Sequence, residues 1–192
     1  NFYLNEEYNK VKKILKEFKK EDEFYYWFKV KTETKIIIKE QDYENGIKYI
    51  DKKYKKIEEP NIKMKFDLAN FYKNSKNYEK AIESYSQIIS TLDDASIIKS
   101  ELLYRRGGSY ERLGNYEMAD FDLLHALKIN PDDAYVLNYL AYSWLERDYK
   151  INEAMDMLKT AYDLKRNDPY IIDSIGWAYF LIEDYVKAEN YL

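Results

Sequence analysis

The chain contains no cysteine. Disulfides, thiolate zinc sites and a cysteine nucleophile are therefore excluded, and both oxidising and reducing compartments stay open. Glycine (5) and proline (3) are scarce among 192 residues. That argues against a loop-rich or all-β protein, which needs many turn residues. His125 is the one histidine. With no second histidine or cysteine to partner it, neither a metal site nor a general-base pair can be assembled around it, and it reads as a surface residue of a helix. No stretch reaches the ~18 apolar residues that a membrane helix needs. The nearest, 170–182, is interrupted by Asp173 and Ser174, so no direct membrane insertion is expected of this stretch of chain.

Charge is present in both signs but unevenly spread. The formal net charge is −4, with 17 Lys against 13 Asp and Glu in residues 1–65 and 14 Lys and Arg against 22 Asp and Glu in residues 66–192. An overall acidic chain is a poor match for nucleic acid, where phosphate neutralisation dominates affinity. The chain starts at Asn1 and stops at Leu192 in the middle of a pattern. It is expected to be a piece of a longer protein whose signal peptide or anchor lies outside it.

What the sequence has in place of these features is a repeat. Its clearest unit is 100–133, 34 residues long. Leu103, Gly107 and Tyr110 fall on one face of a first helix, at spacings of four and three. A turn follows around Gly114, which tolerates a left-handed backbone. A second helix carries Tyr116, Ala119, Leu123 and Ala126, and Pro131 stops it for want of an amide hydrogen. The pattern returns 34 residues on as Leu137, Ala141 and Trp144 and then, after one inserted residue near Lys150, as Ala154, Leu158 and Ala161. It returns again as Ile172, Gly176, Tyr179, Tyr185, Ala188 and Leu192. Upstream, Ala69, Tyr72, Tyr78, Ala81, Tyr85 and Ile88 fit, and a weaker copy holds Ile37, Tyr43, Gly46 and Ile50. Tyr8, Val11, Leu15 and Phe18 read as the second helix of a further unit. The small residues have a mechanical reason: they let two antiparallel helices approach to about 8–10 Å. One helix pair cannot bury its apolar surface alone, so neighbouring pairs must stack.

The segment "YRRGGSYERLGNYEMADFDLLHALKINPDD" (104–133) resembles the tetratricopeptide repeat, and "DSIGWAYFLIEDYVKAENYL" (173–192) resembles bacterial members of that family. The resemblance implies an all-α fold, a right-handed α-solenoid of antiparallel helix pairs. Its expected units are a partial repeat over 1–26, repeats over 27–61, 62–99, 100–133 and 134–168, and a truncated repeat over 169–192. Three residues depart from the pattern: Gly46 stands where alanine is expected, and Thr34 and Arg106 interrupt apolar positions.

The remaining motifs read as structure. "RRGGS" (105–109) lacks the preceding strand that a phosphate loop requires, and the repeat register puts it inside a helix. Gly107 is accounted for by close packing; Gly108 is not, and an opened cleft is one reading of it. The acidic pairs Asp93–Asp94, Asp132–Asp133 and Glu183–Asp184 fall in turns and read as helix caps, as does Asp168 before Pro169.

In solenoids of this kind the first helix of each unit lines a concave groove. The register therefore offers Asn70, Lys73, Arg105, Arg112, Tyr135, Asn138, Tyr139, Tyr142 and Trp177 as groove residues, with Lys31, Lys35, Lys63, Tyr170 and Asp173 as further groove candidates. Tyr139, Tyr142 and Trp177 are expected to receive an apolar or aromatic side chain, and Asn70, Lys73, Arg105 and Arg112 to hold acidic groups or carbonyls. Some family members grip C-terminal carboxylates with lysines and asparagines. Asn70 and Arg105 match fragments of that pattern, but Phe66, Tyr135 and Tyr139 break it, so no chaperone cofactor is expected. The expectation is a non-catalytic scaffold with a protein or peptide ligand and no cofactor, with an envelope address slightly favoured. The alternatives are self-assembly into a homo-oligomer and a regulatory segment of a larger enzyme.

Overall fold

A computed structural model describes residues 7–17 and 23–191. The expected positions of Phe18 and Leu192 lie outside the described residues. Among the described residues all regular structure is helical, in eleven helices with no strand. In order they are α1 (Tyr8–Leu15), α2 (Glu23–Glu40), α3 (Tyr43–Tyr54), α4 (Ile62–Asn74), α5 (Tyr78–Ile89), α6 (Ile97–Arg112), α7 (Tyr116–Ile129), α8 (Ala134–Leu145), α9 (Ile151–Leu164), α10 (Pro169–Leu181) and α11 (Tyr185–Tyr191). α2 begins at Glu23, four residues ahead of the repeat start expected at 27. The chain divides into two compact units, the first ending at Ser84 and the second starting at Tyr85.

In the first unit α2 and α3 pack against each other with Trp27, Val30, Ile36 and Ile50 in the core. Thr34 interrupts this apolar line without cost, because it is fully buried and its hydroxyl donates to the Val30 carbonyl at 2.7 Å. Gly46 has a steric reason: a Cβ there would run into Cγ1 of Ile38. Tyr49 of α3 donates from its hydroxyl to the Glu33 carboxylate of α2, and Trp27 donates from its indole to Asp67 of α4 at 2.9 Å.

In the second unit the turn from α6 to α7 is three residues long, and Gly114 occupies it with φ +73°. Two helices joined by so short a turn and packed along their length run antiparallel. Gly107 sits at their closest approach, where a Cβ would lie 3.1 Å from Leu123 and 3.2 Å from the Ala119 carbonyl. Arg106 does not break the core but crosses it. Its guanidinium makes two 2.7 Å hydrogen bonds to the fully buried Asp122 and a third, 2.8 Å, to the Ser86 hydroxyl. Pairs α8–α9 and α10–α11 repeat the arrangement around Leu140, Ala141, Leu158, Ile171, Ile175 and Ala188.

Asp133 and Asp168 accept amide hydrogens from the first turns of α8 and α10, as expected of them, and Asn115 does the same for α7. Asp184 accepts from the Lys187 amide at 3.2 Å. Asp94 does something else: it pairs at 2.6 Å with Lys99, whose side chain is largely buried.

Candidate functional site

The site in the second unit is built where α6 ends, α7 begins and α8 passes beside them. α8 is the most apolar of the three, with Val136, Leu140 and Trp144 buried on one side. Tyr139, Ser143 and Tyr142 lie on its other side, and Glu146 and Arg147 follow directly after its last residue. Together with Glu111 and Arg112 from the end of α6 and Tyr116 from the start of α7, these residues line a cavity of about 460 Å³.

Its geometry is tightly cross-linked. The Tyr139 ring lies beside Gly108 of α6, where a Cβ would meet its hydroxyl at an ordinary contact distance of 3.4 Å, so the ring's position does not require a glycine. The hydroxyl donates to Glu111 at 3.1 Å, and the ring meets Tyr104 edge-on, with centroids 5.7 Å apart. Burial pushes the Tyr139 hydroxyl above its ordinary range, and the adjacent Glu111 carboxylate pushes the same way. Tyr142 is raised too, first by burial, then by Glu146 and by the charge of Asp173. On the opposite wall Arg147 lies 4.6 Å over the Tyr116 ring, donates to the Ser143 carbonyl at 2.9 Å and pairs with Asp120 at 2.8 Å. Glu146 accepts from the Trp177 indole at 2.6 Å.

Three buried polar atoms of α8, the Asn138 Oδ1, the Ser143 Oγ and the Trp144 Nε1, have no hydrogen-bond partner, and of the three residues Ser143 lines the cavity. A buried acceptor without a partner costs about 1–3 kcal/mol, so such atoms are where an incoming polar group gains most.

The sequence-derived residues distribute as follows. Arg112, Tyr139 and Tyr142 line the cavity, and Trp177 joins it through Glu146. Tyr135 lies at the start of α8, where it donates to Asp168 at 2.9 Å under the Lys165 ammonium. Arg105 is turned to its own helix, bonding Glu101 at 2.6 Å. Asn70 and Lys73 are half-buried on α4, in the first unit. Lys31 pairs with Asp67 at 2.8 Å, and both it and the exposed Lys63 border an apolar cavity of about 340 Å³ beside Phe24, Trp27 and Phe28. Lys35, Tyr170 and Asp173 are exposed. Sequence reasoning did not name Glu111, Ser143, Glu146 or Arg147, and it read Tyr116 as a packing residue of the repeat and not as part of a site. The signal available for three of them was the four-residue spacing from Tyr139 and Tyr142 along α8.

His125 sits half-buried on α7 beside Phe121, their rings 6.2 Å apart. Among the described residues no cluster of His, Asp and Glu is placed to hold a metal ion, and no described helix is long and apolar enough to cross a membrane.

Comparisons with known proteins bear on the whole chain. Family models described as tetratricopeptide repeat match residues 62–91 and 100–133. A TPR repeat-containing protein of Pseudomonas aeruginosa is 26% identical over 162 residues, 83% of this chain and 26% of that protein. A lipoprotein NlpI homolog of Haemophilus influenzae is 30% identical over 113 residues, 58% of this chain and 35% of that protein. The chain thus spans about a quarter to a third of the length of these curated relatives. Among solved structures, BtubC (BKLC) from P. vanneervenii matches with a TM-score of 0.72, covering 96% of this chain and 85% of that one at 16% identity. MamA matches with a TM-score of 0.63, covering 82% and 89% at 21% identity. At these identities the likeness is one of fold. With helix pairs at the repeat spacing, small residues at the pair contacts and two matched segments, the chain carries tetratricopeptide repeats over 62–91 and 100–133.

Proposed function

We propose that this chain is a non-catalytic scaffold that binds a protein or peptide segment, and that the α6–α8 cavity is a principal contact. The carrying observation is that the cavity gathers Tyr139 and Tyr142 around Ser143, whose buried hydroxyl has no partner, with Arg112 at its edge. Aromatic anchors in desolvated pockets supply most of the binding energy at such surfaces. Asn138 offers a second unpartnered acceptor on α8, suited to a peptide amide. Trp177 extends the aromatic surface, and Tyr135 and Arg105 flank it. In the first unit Asn70 and Lys73 are proposed as separate contacts for the same class of ligand. The test is selection of a randomised peptide library on the whole chain, repeated on an Arg105→Glu, Tyr142→Ala double variant. Selected peptides should lose at least tenfold in affinity for the variant, and unchanged binding rejects the reading.

Self-assembly is the second reading. α11 exposes Tyr185 and Val186, with Phe180 beside them, apolar area that a second copy of the chain would cover. Light scattering across a hundredfold concentration range separates the two: the scaffold reading expects a constant mass, self-assembly a rising one. The lipoprotein relative supports an envelope address, which fractionation of the source cells would test.

A further inference from the structure

We propose that the α6–α8 cavity takes a cationic side chain, a lysine or arginine of the partner segment; this rests on the peptide-binding reading above. Its aromatic wall is one that attracts cations. Tyr116, Tyr139 and Tyr142 line it, and tyrosine ring faces draw ammonium and guanidinium groups to within about 6 Å. The cavity already demonstrates this internally, since the Arg147 guanidinium lies 4.6 Å over Tyr116. That cation is satisfied by Asp120 and by the Ser143 carbonyl, so it does not occupy the opposite wall.

The charge around the cavity favours the same sign. Of the residues that line it, Glu111 and Glu146 balance Arg112 and Arg147; Asp120, which pairs with Arg147, and Asp173, whose charge reaches Tyr142, add two negative charges beside the lining. The anchors of the two glutamates matter here. Glu111 is held by the Tyr139 hydroxyl and Glu146 by the Trp177 indole, both neutral donors that orient a carboxylate without cancelling its charge. Arg112 approaches Glu111 only at 3.6 Å, beyond hydrogen-bonding distance, and its side chain is 63% exposed. The Ser143 hydroxyl, 94% buried and unpartnered, is left to accept a hydrogen bond from the incoming cation. Arg112 was expected to hold an acidic group; the surrounding carboxylates make that the less favourable occupant.

The experiment is the same library selection on the whole chain, read for the identity of the enriched residue, with Glu111→Gln, Glu146→Gln and with Arg112→Ala. The account predicts several-fold enrichment of lysine or arginine at one position. The double glutamine variant loses that enrichment, and peptides selected on the parent bind it at least tenfold more weakly. Arg112→Ala binds the same peptides as tightly or tighter. Thermal unfolding of each variant, expected unchanged, separates lost binding from lost structure; a variant that melts early is replaced by the single Glu146→Gln change, which must then weaken binding by itself. Enrichment of acidic or apolar residues at that position, or basic enrichment indifferent to the glutamates, overturns the proposal while leaving a peptide site in place. Failure to select any peptide defeats both readings.

Discussion

The α2–α3 and α6–α7 pairs occupy the same register 73 residues apart, yet they fill it with opposite choices. Where α6 has Gly107 facing Ala119 of α7, α2 has Thr34 and α3 has Gly46. Bulk removed from the second helix is restored on the first, as Thr34 and Ile38, so the helices still approach closely. The next register position is exchanged as well. Arg106 and Asp122 form a buried ion pair in one, and Glu33 accepts from the Tyr49 hydroxyl in the other. The repeat therefore constrains the summed volume and the joint polarity at each contact, and leaves the individual residues free.

The sharpest way to break that comparison is to remove one member of each cross-helix polar pair. Asp122→Ala leaves the Arg106 guanidinium buried and unpaired and should cost about 3–5 kcal/mol in urea unfolding. Tyr49→Phe removes one hydrogen bond to a charged acceptor and should cost about 1–2 kcal/mol. Equal costs would mean that the two pairs are not the graded equivalents described.

Next in size are the glycines. Gly46→Ala drives a methyl into Cγ1 of Ile38 and should destabilise by about 1–3 kcal/mol, and the same change should cost less in an Ile38→Ala background, which lacks that atom. Gly107→Ala meets neighbours at 3.1–3.2 Å and should cost less. A larger loss at Gly107, or an equal loss from Gly46→Ala in the Ile38→Ala background, would argue against compensation of volume.

Smaller effects are expected in the turns. Lys76, Asp148 and Glu183 hold positive φ at the place where Gly114 stands in the best-matched repeat. A left-handed backbone costs a side-chain-bearing residue about 1–2 kcal/mol. Lys76→Gly, Asp148→Gly and Glu183→Gly should each stabilise by about 0.5–1 kcal/mol after the entropy cost of glycine, whereas Gly114→Ala should destabilise by about 1 kcal/mol.

The smallest effect is with pH. Burial pushes the Tyr85 hydroxyl up to about 12, partly offset by Arg105, and raises Tyr104 and Tyr139 as well. A folded state that holds these protons more tightly than the unfolded one is fully stabilised below the ordinary tyrosine range near 10 and loses stability above it. Tyrosinate absorbance should rise in two phases, the second coinciding with loss of helix above about pH 10. A single phase with the helix intact would contradict this.

The pairing of helices was legible because small residues recur at the contacts and the turns carry glycine or a capping carboxylate. Gly46, Thr34 and Arg106 were legible only as departures. Their reasons, Ile38, the Val30 carbonyl and Asp122, lie across a helix interface or one helical turn away, which spacing along the chain does not reveal. For the cavity, Arg112, Tyr139 and Tyr142 followed from the first-helix register. Glu111 and Tyr116 escaped it because they flank the turn that ends α6, and Glu146 and Arg147 because they follow the last residue of α8.

The central claim, that the α6–α8 cavity receives the partner, is tested most directly by mapping amide chemical shifts of the isotope-labelled chain as a library-selected peptide is added. The account predicts the largest shifts at Glu111, Arg112 and Tyr116 and across 139–147. Shifts confined to Phe121, Leu124 and Lys128 of α7, with those residues still, would contradict it.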